Sequence, residues 1–147
     1  MIRPITKADR NTFLIFAKAF YASEAVAHTV PQSHHLKTFE QLMENDTYAR
    51  GYMIETAGKP VGYALTAKTF SQEAGGMVVW IEELFILPQY RGKGLGTEFF
   101  KYVKETIEPH VARVRLEVEP DNAAAIRLYQ RMGFEILPYR QMVKECQ

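Results

Sequence analysis

The run Gln89-Tyr90-Arg91-Gly92-Lys93-Gly94-Leu95-Gly96 gathers residue types that suit a phosphorylated ligand. Glycines at alternating positions let a main chain approach a ligand closely, and Arg91 and Lys93 add positive charge. Behind the turn, Leu95, Phe99, Val103 and Ile107 recur every fourth residue, the spacing of one helix face. In front of it, Met77 to Leu87 is β-branched, aromatic or aliphatic except at Glu82 and Glu83, which predicts a buried strand stopped by Pro88. A buried strand, a glycine turn and a helix starting at that turn make a phosphate cradle, because first-turn N–H groups lack intrahelical partners and carry the positive dipole end. The two glutamates are a second chemical signal. Unpaired charge in a buried strand is costly, so one of them is a candidate base. Adjacent strand residues face opposite ways, and Glu82 shares a face with Leu84 and Ile86.

Two familiar phosphate motifs do not fit. No Gly-Lys is followed by Ser or Thr at P-loop spacing. The glycines Gly92, Gly94 and Gly96 place the third one residue early for a dinucleotide fingerprint, and the turn comes late in the chain. No His/Cys/Asp/Glu cluster has metal-ligand spacing, and no serine sits in a nucleophile elbow, so no metal is expected.

The elements that position these residues follow from the rest of the chain. Its 147 residues, 47% apolar and 24% charged, suit one globular domain over 1–147. A net charge of +1 gives no basic field for nucleic acid, and no apolar run has membrane-span length. One cysteine, Cys146, leaves no internal disulfide, and the start lacks a signal-peptide block, so the expected location is cytoplasmic. Ile2 to Ile5 predicts a strand, with Thr6 and Asp9 at capping-box spacing, and Phe13, Phe16, Ala17 and Phe20 the inner stripe of a first helix. Ser33 is the expected cap of a second helix carrying Leu36, Phe39 and Leu42 or Met43. Tyr52–Thr56 and Val61–Thr69 form a hairpin around Ala57-Gly58-Lys59. Val111–Val118 alternates as a half-buried strand. Asp121 or Asn122 caps a helix from Ala123 to about Met132, closed by Gly133 with Phe134 beyond it. A last strand is expected at Gln141–Lys144. The order is β-α-α-β-β-β-α-β-α-β, a mixed α/β chain.

The Gln89–Gly96 block resembles the acetyl-CoA pyrophosphate loop of the GNAT superfamily of acyl-CoA-dependent N-acetyltransferases. A second block, Leu116-Glu117-Val118-Glu119-Pro120-Asp121-Asn122-Ala123-Ala124-Ala125-Ile126-Arg127-Leu128-Tyr129 with Gly133-Phe134, is similar to that family's fifth-strand and last-helix segment. The resemblance implies a mostly antiparallel sheet of six to seven strands, splayed in a V between the fourth and fifth and flanked by four helices. It implies acetyl-CoA as co-substrate and direct acetyl transfer to an amine. Carried over by position, Arg91, Gly92, Lys93, Gly94, Leu95, Gly96 and Thr97 would hold the diphosphate. Leu84, Phe85 and Ile86 would bond the pantetheine arm through their main chain, with Asn122 contacting its amides unless it only caps its helix. Tyr129 would protonate the departing thiolate.

For the base, the resemblance to diamine N-acetyltransferases favours Glu82, then Glu83, with a salt bridge to Arg113 or Arg115 expected for whichever is not the base. Glu117 is a third candidate, its spacing to Tyr129 resembling the base–acid pair of ribosomal-protein N-terminal acetyltransferases, although the paired tyrosines of that tail are absent. The family's acceptor pocket corresponds to Tyr21–His34 and Ile136–Gln141, with Tyr21, Glu24, His28 and Tyr139 as lining candidates. The implied partners are acetyl-CoA and a small amine such as a polyamine, amino acid or aminoglycoside-like compound, with neither nucleic acid nor membrane. A homodimer is expected from the family alone. Protein N-terminal or lysine acetylation is the alternative reaction, and a non-catalytic acyl-CoA sensor is the alternative of another class.

Overall fold

A computed structural model describes residues 1–147. Its elements are β1 (Ile2–Pro4), α1 (Arg10–Tyr21), α2 (Gln32–Glu44), β2 (Ala49–Thr56), β3 (Lys59–Ser71), β4 (Gly76–Ile86), α3 (Leu95–Thr106), β5 (Arg113–Leu116) and α4 (Ala123–Arg131). The strands lie in sequence order in one sheet, antiparallel from β1 to β4 and parallel between β4 and β5. That makes five strands where six to seven were expected. The missing one is the segment Gln141–Lys144, which forms no strand and leaves Met142 and Val143 exposed. Apolar alternation supplies strand propensity, but a strand forms only against a neighbouring edge. No helix is long and apolar enough to cross a membrane.

The core divides into two layers, one on each face of the sheet. Phe13, Phe16, Ala17 and Phe20 of α1 and Phe39 of α2 pack on Met53, Tyr63, Leu65 and Phe85. On the other face Leu95, Phe99, Phe100 and Val103 of α3 pack on Tyr52, Ile54, Val61, Ala64 and Ile81, joined by Leu128 and Tyr129 of α4 and by Met132 just after it. The aromatic stripe of the first helix and the four-residue repeat of α3 are therefore buried as their periods require. Arg3 clamps the first layer. It makes a bidentate pair with Asp9 at 2.8 and 2.9 Å and a 2.6 Å pair with Glu55. Arg3 holds the Asp9 carboxyl down at about 2, with Thr6 N–H and hydroxyl bonds adding to the effect. The second helix starts after Pro31 instead of at a Ser33 cap, because Pro31 already sits in the extended conformation that precedes a helix.

Two irregularities of the sheet shape its open edge. First, β4 pairs with β5 only from Val78 to Ile81, so residues 82–86 keep β3 on one side and have a free edge on the other. This is the expected V-shaped splay, and it also explains why β5 is shorter than the alternating run Val111–Val118. Second, the β3–β4 register skips Glu82: Leu65 stands opposite Glu83 and Thr66 opposite Ile81. A bulge of this kind kinks the strand and reverses which face later residues occupy. Ile81 packs with α3, yet Phe85 packs with α1, and Leu84 and Ile86 return to the α3 layer.

Close approach of β3 to this segment depends on Gly62. A Cβ there would fall 2.2 Å from the Phe85 carbonyl oxygen and 3.1 Å from Ile86 Cα, both main-chain atoms that cannot swing aside. Gly62→Ala should therefore cost about 2–3 kcal/mol of unfolding free energy. A denaturant midpoint equal to that of the wild type would count against it.

Candidate active site

The glycine turn adopts the backbone that its composition demands. Gly92 and Gly94 have φ of 72° and 83°, in the left-handed region, and Gly94 is the N-cap of α3. Glycine has no side chain to cap a helix, and no other side chain does so, leaving the N–H groups of Leu95, Gly96 and Thr97 available at the positive end of the helix. Gly96 is different. A Cβ there would only reach ordinary contact with Leu128 at 3.5 Å, so neither space nor backbone conformation demands a glycine at this position. The charged side chains fold back from the glycines: Arg91 Nε donates to the Ile86 carbonyl at 2.8 Å and stacks over Phe85, while Lys93 lies over the Tyr90 ring. An acyclic diphosphate fits this donor set, which is a run of unpaired N–H groups with two cations beside it.

The free edge of β4 leads directly into that turn. Leu87 N–H donates to Val61 O across the β3–β4 pair. Main-chain groups alternate along an antiparallel strand, so Phe85 turns its groups to β3 while Leu84 and Ile86 turn theirs to the open side. The Arg91 bond to Ile86 O is made on that open side.

Tyr129 lies on the same α3 face, its ring edge-on to Phe100 at 5.4 Å and to Phe134 at 6.2 Å. Burial raises the phenol above its usual range, so it stays protonated. Its hydroxyl engages no other protein group. Asn122, not Asp121, caps α4: its Oδ1 accepts from Ala125 N–H at 3.2 Å, which leaves the Nδ2 donors free. Gly133 closes the helix at φ 93°, and Phe134 N–H returns to Tyr129 O at 3.0 Å.

The two glutamates part company at the bulge. Glu82 is exposed, and its carboxyl is raised by partial burial, then by the charges of Glu117 and Glu83. Glu117 is also exposed, one residue beyond β5. Glu83 turns to the opposite face, where its Oε1 accepts from the Tyr63 hydroxyl and its Oε2 from the Tyr21 hydroxyl at 2.8 Å. Burial pushes the Glu83 carboxyl up, and the two phenols oppose that shift. Both phenols are raised in turn, first by burial and then by Glu83. The expected salt bridge of one glutamate to Arg113 or Arg115 does not form: Arg113 pairs with Glu73 at 2.9 Å, and Arg115 covers the Trp80 ring at 4.2 Å. The bulge removes Glu82 from the paired ladder, and the phenols satisfy Glu83.

Of the expected acceptor-pocket residues, only Tyr21 joins this centre. Glu24 and His28 are exposed, and the Tyr139 hydroxyl donates to Glu73 at 3.1 Å, in the β3–β4 turn. Two residues went unforeseen. His35 is buried with its ring 5.4 Å from that of Tyr21, and burial lowers its pKa. Tyr63 is fully buried in the middle of an apolar strand. Its hydroxyl was the available signal, since a buried phenol needs a hydrogen-bond partner. No group of three or more His, Cys, Asp or Glu is arranged to hold a metal ion.

Comparison with known proteins gives this geometry a family. The Acetyltransferase (GNAT) family model matches residues 15–134. An uncharacterized N-acetyltransferase of Methanocaldococcus jannaschii is 33% identical over 138 residues, covering 91% of this chain and 60% of that protein. The spermine/spermidine N(1)-acetyltransferase of Bacillus subtilis is 33% identical over 82 residues, covering 53% of this chain and 54% of its own length. The chain thus spans little more than half of each of these relatives. The solved structure of an aminoglycoside N-acetyltransferase in complex with CoA superposes with a TM-score of 0.79 at 18% identity, over 99% of this chain and 93% of that one. The five-stranded sheet opening between β4 and β5, the uncapped glycine turn at its mouth and the family match over most of the chain lead to one assignment: the chain belongs to the GNAT family of acetyltransferases.

Proposed function

We propose that this chain moves an acetyl group from acetyl-CoA to a primary amine of a small molecule by direct transfer. The observation that carries the reading is the free β4 edge, with an uncapped glycine turn at one end and an unpaired, exposed carboxylate at the bulge. Relatives whose names specify spermine, spermidine and aminoglycosides as acceptors support the amine class.

Acetyl-CoA supplies, when bound, a thioester carbonyl activated for attack by nitrogen. The N–H groups of Leu95, Gly96 and Thr97 would hold its diphosphate, helped by the main chain from Arg91 to Gly94. Leu84 and Ile86 would bond the pantetheine arm on the open edge, while Phe85, whose main chain faces β3 and whose ring is buried against α1, would hold the strand in place without touching the arm. Asn122 would offer its Nδ2 donors to the same arm. Tyr129, kept protonated by burial, would give its proton to the departing thiolate, since a thiol pKa near ~8.5 is close enough to that of a phenol for donation.

Glu82 would take the proton that an ammonium must lose before attack. A carboxylate at its ordinary pKa is a weak base at neutral pH, and partial burial, then the neighbouring Glu117 and Glu83 charges, raise it and make it a stronger one. Glu82→Gln should therefore slow turnover by about tenfold to a hundredfold near neutrality and much less above about pH 8, where more amine arrives uncharged. Equal slowing at all pH values would remove Glu82 from the base role. The reading as a whole is tested by following CoA release with a panel of small amines, aminoglycosides and peptides. Release with small amines supports it. Release with peptides alone would point to a protein acceptor, and acetyl-CoA binding with no turnover would point to a sensor.

A further inference from the structure

Away from the glycine turn, the α3 face of the sheet carries a second opening. A cleft of about 180 Å³ lies between the last turn of α3 and strands β2, β3 and β4. It has room for a small molecule and not only for water. Strand alternation brings its lining to one face: Arg50 stands opposite Thr66, Lys68 stands opposite Val79, and Tyr52 follows Arg50 by two residues. Tyr52, Thr66 and Val79 are buried, Ile107 closes the apolar side, and the exposed His110 follows α3 at the rim. This cleft is separate from the cradle. Leu95 and Thr106 are opposite ends of α3, roughly 16 Å apart along the helix axis. Val79 belongs to the stretch of β4 that pairs with β5, before the splay.

The charge in the cleft is one-sided. Arg50, Lys68 and His110 line it, no aspartate or glutamate does, and none of the three cations forms an ion pair. The Arg50 guanidinium lies 5.7 Å from the centre of the Tyr52 ring, a contact that steadies it and leaves most of its five N–H donors open. Lys68 gives one N–H to the Asp46 carbonyl at 2.8 Å and keeps two. Burial raises the Tyr52 phenol above its ordinary value, so it stays a neutral O–H donor. Arg50 and Lys68 are diagonal neighbours across the β2–β3 pair, about 7–8 Å apart along the main chain. Two cations at that separation beside an apolar wall match a short hydrocarbon chain with a carboxylate at each end. One carboxylate would take paired N–H bonds from the arginine fork, and the other would meet the lysine ammonium. We propose that this cleft is a second ligand site, selective for a small dicarboxylate and separate from the acetyl-transfer site.

The test is calorimetric titration of the wild type with succinate, butyrate and inorganic phosphate at one fixed ionic strength, because salt screens exposed charges. Succinate should bind with a Kd of about 1 mM or below. It should bind at least about tenfold more tightly than butyrate, which has the same chain length and a single carboxylate. Arg50→Gln and Lys68→Gln should each weaken succinate by about tenfold, to the level of butyrate. Amide NMR shifts of Arg50, Thr66 and His110 should move with succinate while those of Leu95 and Thr97 stay, which distinguishes the cleft from the cradle. Arg50 is exposed, so its variant should fold even if loss of the Lys68 bond to Asp46 does not permit the other. Basic groups beside the last turn of a helix also complement its dipole. If that is their whole role, Arg50→Gln lowers the unfolding midpoint and succinate does not bind, which overturns the proposal. Phosphate bound as tightly as succinate overturns the two-ended grip, and succinate binding that survives both substitutions refutes the site. These outcomes are the same whether or not any amine is acetylated, so the transferase reading stands or falls separately.

Discussion

Gly94→Asp is expected to weaken CoA binding by at least about a hundredfold while leaving the protein folded. The backbone there sits at φ 83° with no atom within 4 Å of where a Cβ would stand, so a side chain has room but pays the left-handed penalty of roughly 1–2 kcal/mol, somewhat less for Asp. Against that cost, Asp is among the better N-cap residues. Its carboxylate would accept from the N–H groups of Gly96 or Thr97, the donors that Gly94 leaves open, and bring negative charge to where a diphosphate must sit. The substitution thus blocks the donors and reverses the local charge together. Gly94→Ala separates the two effects: it carries the strain without the charge or the cap, and should weaken CoA by only several-fold. Calorimetric titration with CoA checks both. An Asp variant that binds CoA like the wild type would refute the cradle.

How far the sequence reaches into this site depends on which interactions are local. The glycine turn, the α3 face and the Gly133 closure are set by residues a few positions apart, and each is found where the pattern places it. Asn122 is similar: capping is a contact over three residues, and only the choice between it and Asp121 depends on the folded turn. The glutamates are different. Alternation separates Glu82 from Glu83, but the skipped register at Glu82 arises between two strands and has no signature in either. For the same reason the two phenols that hold Glu83, 62 and 20 residues away in the chain, were invisible as a group. The extent of β5 is likewise a property of the pair, since parallel pairing ends at Ile81 and Leu116, just before the bulge. Propensity proposes strands, and partners decide them.

Tyr129→Phe is expected to lower kcat by about a hundredfold to ten-thousandfold, the usual contribution of a positioned general acid, with little change in CoA affinity. The substitution removes one oxygen and leaves the packing alone. The ring lies edge-on against Phe100 and Phe134, and phenylalanine preserves those contacts. The hydroxyl engages no protein group, so removing it strands no partner, and stability should stay within about 0.5 kcal/mol of the wild type. The phenol is raised by burial, so it remains protonated through the neutral range and adds no limb of its own to the pH profile. A large fall in turnover without loss of stability or CoA binding would then isolate proton donation as the missing step. Turnover within twofold of the wild type would instead mean that solvent protonates the thiolate and that Tyr129 serves only to seat α4 on α3.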